Sequence, residues 1–183
     1  MRGLSKIKEA AEAFGFVFAG KTVLDVGSST GGFTEYALER GAKKVVAVEK
    51  GTNQMKAPLR FDPRVELHEK TDIFEFDFVD ADEIPNVVVA DVSFVSLKKV
   101  LDRVGRVLDG QQVDYLVMLK PQFEARDNQL NKGVVKNEKM RREITKDFEE
   151  WLRRNRFLVI KKRDNNLHGK HGNAERFYWL RRV

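Results

Sequence analysis

The run Asp25-Val-Gly-Ser-Ser-Thr-Gly-Gly-Phe33 places three glycines between an apolar stretch and a helical one. Glycine tolerates positive φ, so such a loop can turn sharply and bring its backbone close to a ligand. In open α/β sheets ligands bind at the carboxyl ends of strands, where this loop would lie. A second apolar stretch ends in Glu49, placed to accept hydrogen bonds from both ribose hydroxyls of an adenosine. Asp72 follows a third stretch, where an adenine amino group would arrive, although a lone Asp there suits a helix cap equally well. The spacing Gly27, Gly31, Gly32 does not match the G-x-G-x-x-G of dinucleotide enzymes, and no G-x-x-x-x-G-K-[ST] occurs. Asp25 would repel a pyrophosphate but suits the ammonium of a methionine moiety. These residues point to S-adenosyl-L-methionine as cofactor. Asp25, Gly27, Ser28, Ser29, Thr30, Gly31, Gly32, Phe33, Glu49, Asp72 and Asp91 are the candidates to hold it.

Two further segments carry chemistry. Ala90-Asp91-Val-Ser-Phe94 lacks the paired prolines usual where base amines are methylated. The chain has no cysteine, so methylation of pyrimidine carbon-5 through a covalent adduct is closed. Leu119-Lys120-Pro-Gln-Phe-Glu124 ends an apolar strand in an ammonium, and Pro121 then breaks the strand. A Lys120–Asp91 pair on neighbouring strands, facing the methyl donor, is the arrangement these segments predict.

The elements that must position these groups alternate. A helix is expected over residues 4–14, with Leu4, Ile7, Ala10, Ala11 and Phe14 on one stripe. Strands are expected at Thr22–Val26, Lys44–Glu49, Val65–Glu69, Asn86–Asp91 and Val113–Leu119. Helices are expected at 33–40, 95–108 and 138–154, and two closing strands at Phe157–Lys162 and Glu175–Arg182. Continuous apolar strands followed by helical patterns imply a mostly parallel sheet covered on both faces. The expected fold is α/β and Rossmann-like, with an antiparallel hairpin at one edge supplying an antiparallel C-terminal strand.

At 183 residues the chain suits one domain, and its apolar fraction of 42% suffices for a core. No stretch approaches the roughly 20 apolar residues that span a bilayer, and no signal-peptide core opens the chain. With no cysteines, the sequence suits a reducing, cytoplasmic setting, and no membrane or metal partner is expected. Net charge is +6, and cations crowd from Lys132 onward, including Arg153, Arg154, Arg156, Lys161, Lys162 and Arg163. That concentration reads equally as a nucleic-acid footprint or a solvated face. His168, Lys170 and His171 lie in a polar loop beside it. The histidines are spaced like a metal pair but have no third ligand. Trp151, Phe177, Tyr178 and Trp179 are candidate base-stacking platforms, but Phe177 to Trp179 lie in an apolar strand and fit core packing better.

The whole chain resembles the TlyA or haemolysin-A family of ribosomal RNA 2′-O-methyltransferases, related to the FtsJ/RrmJ type. Asp25–Thr34, Ala90–Leu97 and Leu119–Glu124 carry the resemblance, together with Lys132-Gly-Val-Val135 and Gly172-Asn-Ala-Glu-Arg-Phe-Tyr-Trp-Leu180. It implies a class I methyltransferase whose partner is ribosomal RNA or a ribosomal subunit. It also implies a Lys–Asp–Lys–Glu tetrad, carried here by Lys6, Asp91, Lys120 and Glu175. Without the resemblance, periodicity does not choose between Lys6 and Lys8, and Glu175 reads as a surface charge. Lys120 is left as either a general base or a charged stabiliser of the alkoxide. Residues 1–183 are expected to form the methyltransferase domain alone, without the family's N-terminal S4 module. The competing readings are a methyltransferase on another substrate and a non-catalytic RNA-binding or haemolysin-like protein. A lytic protein should show a long membrane-inserting segment, and none is evident.

Overall fold

A computed structural model describes residues 2–78, 83–165 and 172–183. Helix α1 (Arg2–Phe14) buries Ile7, Ala10, Ala11 and Phe14, the stripe that helical spacing predicts. Strand β1 (Thr22–Val26), helix α2 (Gly32–Glu39) and strand β2 (Lys44–Val48) follow. Strands β3 (Val65–His68) and β4 (Val87–Ala90) are short. Helix α3 (Leu97–Val107) leads to β5 (Asp114–Leu119). A two-stranded ribbon, β6 (Leu130–Asn131) and β7 (Val134–Val135), precedes helix α4 (Glu138–Arg154), β8 (Phe157–Asp164) and β9 (Arg176–Arg182). The ribbon was not expected, because strands of two residues carry no readable period.

The large sheet runs β3-β2-β1-β4-β5-β9-β8. Its first five strands are parallel, and β9 is antiparallel to both of its neighbours. The last strand is thus inside the sheet and β8 is the edge. Side-chain chemistry agrees: Phe177, Tyr178 and Leu180 of β9 are buried, whereas β8 carries exposed Lys161 and Lys162, as edge strands often do.

Alternate residues of each strand feed two cores. Val23, Val45, Ala47, Val87, Val89 and Leu116 pack under α1 and α2. Leu24, Val26, Val46, Val88, Ala90 and Val117 pack against α3 and α4. Burial on both faces explains why the strands read as unbroken apolar runs.

Strand order reverses between β1 and β4, which opens a crevice at the carboxyl ends of the strands. The glycine loop follows β1, Glu49 follows β2, Asp91 follows β4 and Lys120 follows β5. Because β9 runs the other way, Glu175 at its start reaches the same edge. Leu119 pairs with Arg176 in register, which sets Lys120 beside Glu175.

Candidate functional site

The loop after β1 is tied down before it reaches any ligand. Gly27 N donates to Val48 O at 2.9 Å, and Gly31 N to Ser28 O at 2.8 Å. Glu49 accepts from Ser29 N (2.8 Å) with one carboxylate oxygen and from Gly51 N (2.7 Å) with the other. The carboxylate therefore fastens two loops while still facing the crevice. Asp72 accepts from Phe74 N and pairs with Lys50 at 2.9 Å. It closes a local turn and caps no helix.

Three residues of this segment are held by the fold itself. Asp25 shares its strand face with Val23, so its carboxyl points under α2, where Thr34 Oγ1 donates to it at 2.6 Å. It is 1% exposed and lines neither cavity of the crevice. Burial, with Asp91 and Glu49 adding like charge, raises its pKa to about 7. Asp25 thus anchors the first turn of α2 from below, away from both cavities. Gly31 has φ +91°, and a Cβ there would strike Leu59 and Met55, so it turns away from the crevice. Gly32 lines the crevice, but a Cβ there would come within 2.7 Å of Leu4 N. Its lack of a side chain lets the first turn of α1 rest directly on the loop.

The crevice has two lobes. One, of about 630 Å³, is walled by Glu49, Asp72, Ile73, Phe74, Val92 and Val95. The other, of about 500 Å³, is lined by Lys6, Lys120, Gln122 and Phe123, with Ser28, Thr30 and Phe33 from the loop. Gly27, Ser29, Asp91, Ser93 and Phe94 border both. Apolar walls beside a carboxylate suit an adenine with its ribose. In the second lobe the Ser28 hydroxyl is buried with no hydrogen-bond partner, so it suits the polar tail of an amino acid. These residues fit S-adenosyl-L-methionine laid across both lobes.

Two ion pairs meet at the second lobe. Lys120 Nζ lies 2.6 Å from Asp91 Oδ1, though out of line for a hydrogen bond, and donates instead to Ser93 Oγ at 2.8 Å. Lys6 Nζ donates to Glu175 Oε2 at 2.6 Å. Lys6 is 6% exposed and Glu175 2%, whereas Lys8 is exposed. Helix rotation and the seat on Gly32 thus bury Lys6 and leave Lys8 in solvent. Asn165 Nδ2 adds a second donor to Glu175 at 3.2 Å.

Several features of this site carry no sequence signal. Glu124 reaches back to the start of α3, accepting from Ser96 Oγ at 2.8 Å and Leu97 N at 2.5 Å. Burial raises its pKa above the usual carboxylate range. Just before these anchors Phe94 sits at φ +62°, 93% exposed, with its ring centroid 5.2 Å from that of Phe123. An aromatic held outward in the left-handed region is set by its neighbours and not by its own preference.

The cations beside α1 have internal work. Lys161 donates to Phe14 O at 2.8 Å, which satisfies a carbonyl at the helix C-terminus, and Arg163 donates to Glu9 O at 3.3 Å. Lys162 pairs with Glu149 at 2.8 Å. His168, Lys170 and His171 lie outside the described residues. Among the described residues, no helix is long and apolar enough to cross a membrane.

Comparison with known proteins agrees with this geometry. The family model for FtsJ-like methyltransferases matches residues 1–182. The "23S rRNA (cytidine-2′-O)-methyltransferase TlyA" of Campylobacter jejuni is 34% identical over 97% of this chain and 69% of its own length. The "16S/23S rRNA (cytidine-2′-O)-methyltransferase TlyA" of Mycobacterium tuberculosis is 36% identical over 98% of this chain and 67% of its own. This chain therefore spans about two thirds of each. A candidate hemolysin of known structure from Lactococcus lactis superposes with a TM-score of 0.94 at 32% identity. That match covers 100% of this chain and 88% of the other.

Proposed function

The chain belongs to the FtsJ-like methyltransferase family, whose cofactor is S-adenosyl-L-methionine; from that premise we propose that it methylates a ribose 2′-hydroxyl of ribosomal RNA. The observation that carries this reading is the meeting of Lys120–Asp91 and Lys6–Glu175 at a lobe that opens onto the adenosine-shaped one. The names of the Campylobacter and Mycobacterium relatives make cytidine the nucleoside of choice. We read residues 1–183 as one methyltransferase domain acting in the cytoplasm on ribosomal RNA or a ribosomal subunit.

When bound, S-adenosyl-L-methionine supplies an electrophilic sulfonium methyl group. Glu49 would hold the ribose of the cofactor, and Ser28 its polar tail. A sugar hydroxyl is a weak nucleophile and sheds its proton as it attacks. Lys120 is fixed by Asp91 on one side and by Ser93 Oγ on another, which leaves an N–H for the lobe. That donor suits the oxyanion as its charge develops. Lys6, held by Glu175, adds a second positive charge to the same wall. Burial of Lys6 and Glu175 strengthens the attraction between them.

The test is calorimetric titration with S-adenosyl-L-methionine, then transfer of labelled methyl to ribosomal RNA and nucleoside analysis. The expected result is cofactor binding and 2′-O-methylcytidine. Label found on a base, or no affinity for the cofactor, would overturn the reading.

A further inference from the structure

Gln122 stands in the 3₁₀ turn Pro121–Phe123, two residues beyond Lys120. Its Oε1 is buried and accepts no hydrogen bond, yet the residue lines the lobe that holds Lys6 and Lys120. A buried acceptor left without a donor costs about 1–3 kcal/mol, so one retained inside a cavity calls for a donor from the ligand. Gln122 does not line the lobe with Glu49 and Asp72, which separates it from the adenine of the cofactor. It is adjacent in sequence to Phe123, whose ring packs against the exposed ring of Phe94 at the common rim. The two rings are tilted by 51°, so each presents a separate face for a base to stack on, and both line the lobe that Gln122 lines.

Resting on the activity proposed above, we infer that Gln122 selects the target nucleoside by accepting a hydrogen bond from the exocyclic amine of cytosine. Uracil presents a carbonyl oxygen where cytosine presents that amine, so two acceptors would face each other. Gln122 is thus a specificity residue, separate from the groups that activate the hydroxyl.

The test begins with mass spectrometry of ribonuclease fragments from ribosomal RNA methylated by the unaltered protein, which locates the modified position. RNA carrying uridine there is then compared with RNA carrying cytidine. The unaltered protein should favour cytidine by about tenfold or more in kcat/KM, a difference of about 1.4 kcal/mol. Gln122→Leu should lose that preference while keeping its S-adenosyl-L-methionine affinity within about twofold. Gln122→Glu retains an acceptor and should retain the preference, which separates recognition from a general disturbance of the turn. Undiminished discrimination in Gln122→Leu, or loss of cofactor affinity in its place, would overturn the inference. No methylated ribose from the unaltered protein would overturn the activity itself, and this inference with it.

Discussion

Lys6 Nζ and Glu175 Oε2, separated by 169 positions in the chain, lie 2.6 Å apart in the interior. The pair closes the gap between α1 and the start of β9, and it does so with charge where packing would serve. Removing one partner of a buried ion pair strands the other, at a cost of about 3–5 kcal/mol. Glu175→Ala and Lys6→Ala should each lower unfolding free energy by about that amount in denaturant titrations. Lys6→Met combined with Glu175→Leu should recover most of the stability and none of the methyl transfer. Recovered activity in the double variant would make the pair a structural strut only.

Lys120→Ala should abolish methyl transfer and leave cofactor affinity within about twofold, measured by calorimetry beside labelled-methyl transfer. If both fall together, Lys120 belongs to the cofactor site. A pH–rate profile then separates the two roles open to this lysine. A charged stabiliser leaves activity intact toward acid, whereas a general base loses activity as the pH falls.

Asp25 gives the fold a pH dependence with a definite sign. The folded protein holds the Asp25 proton more tightly than the unfolded chain, with a pKa of about 7 against an ordinary 3.8. Its stabilising contribution is therefore complete at low pH and is lost as pH rises toward about 7, a change of about 4 kcal/mol. Asp25→Asn keeps an acceptor for Thr34 without the buried charge. Its advantage in melting temperature over the unaltered protein should be absent at pH 3.5, open between pH 4 and 7, and stay constant above. A constant difference across that range would show that Asp25 titrates normally.

The glycines separate two kinds of constraint. Gly31→Val places a branched side chain at φ +91° against Leu59 and Met55, so its first effect should be on stability. Gly32→Ala meets backbone of α1 and should displace Lys6, lowering turnover more than cofactor affinity. Unfolding midpoints and calorimetry on both variants check this. Gly31→Val that stays fully stable yet binds no cofactor would put Gly31 back in the pocket.

Much of this molecule was legible in its order of residues. Unbroken apolar runs leading to the glycine loop, Glu49, Asp91 and Lys120 specify parallel strands with polar groups at their carboxyl ends, because period and strand direction are local properties. The glycine loop and the antiparallel close belong to the same class of signal. What α1 does was not legible: Lys6 and Lys8 are equivalent by spacing, and only the seat of the helix on Gly32 buries one of them. The roles of Asp25, Glu124 and Gln122 were hidden for a related reason. Whether a carboxyl or amide faces a cavity, a helix end or the underside of a loop depends on which face of a twisted sheet it leaves, and on what another part of the chain brings to meet it. Local periodicity writes the elements; long-range contact decides which polar groups are left facing the ligand.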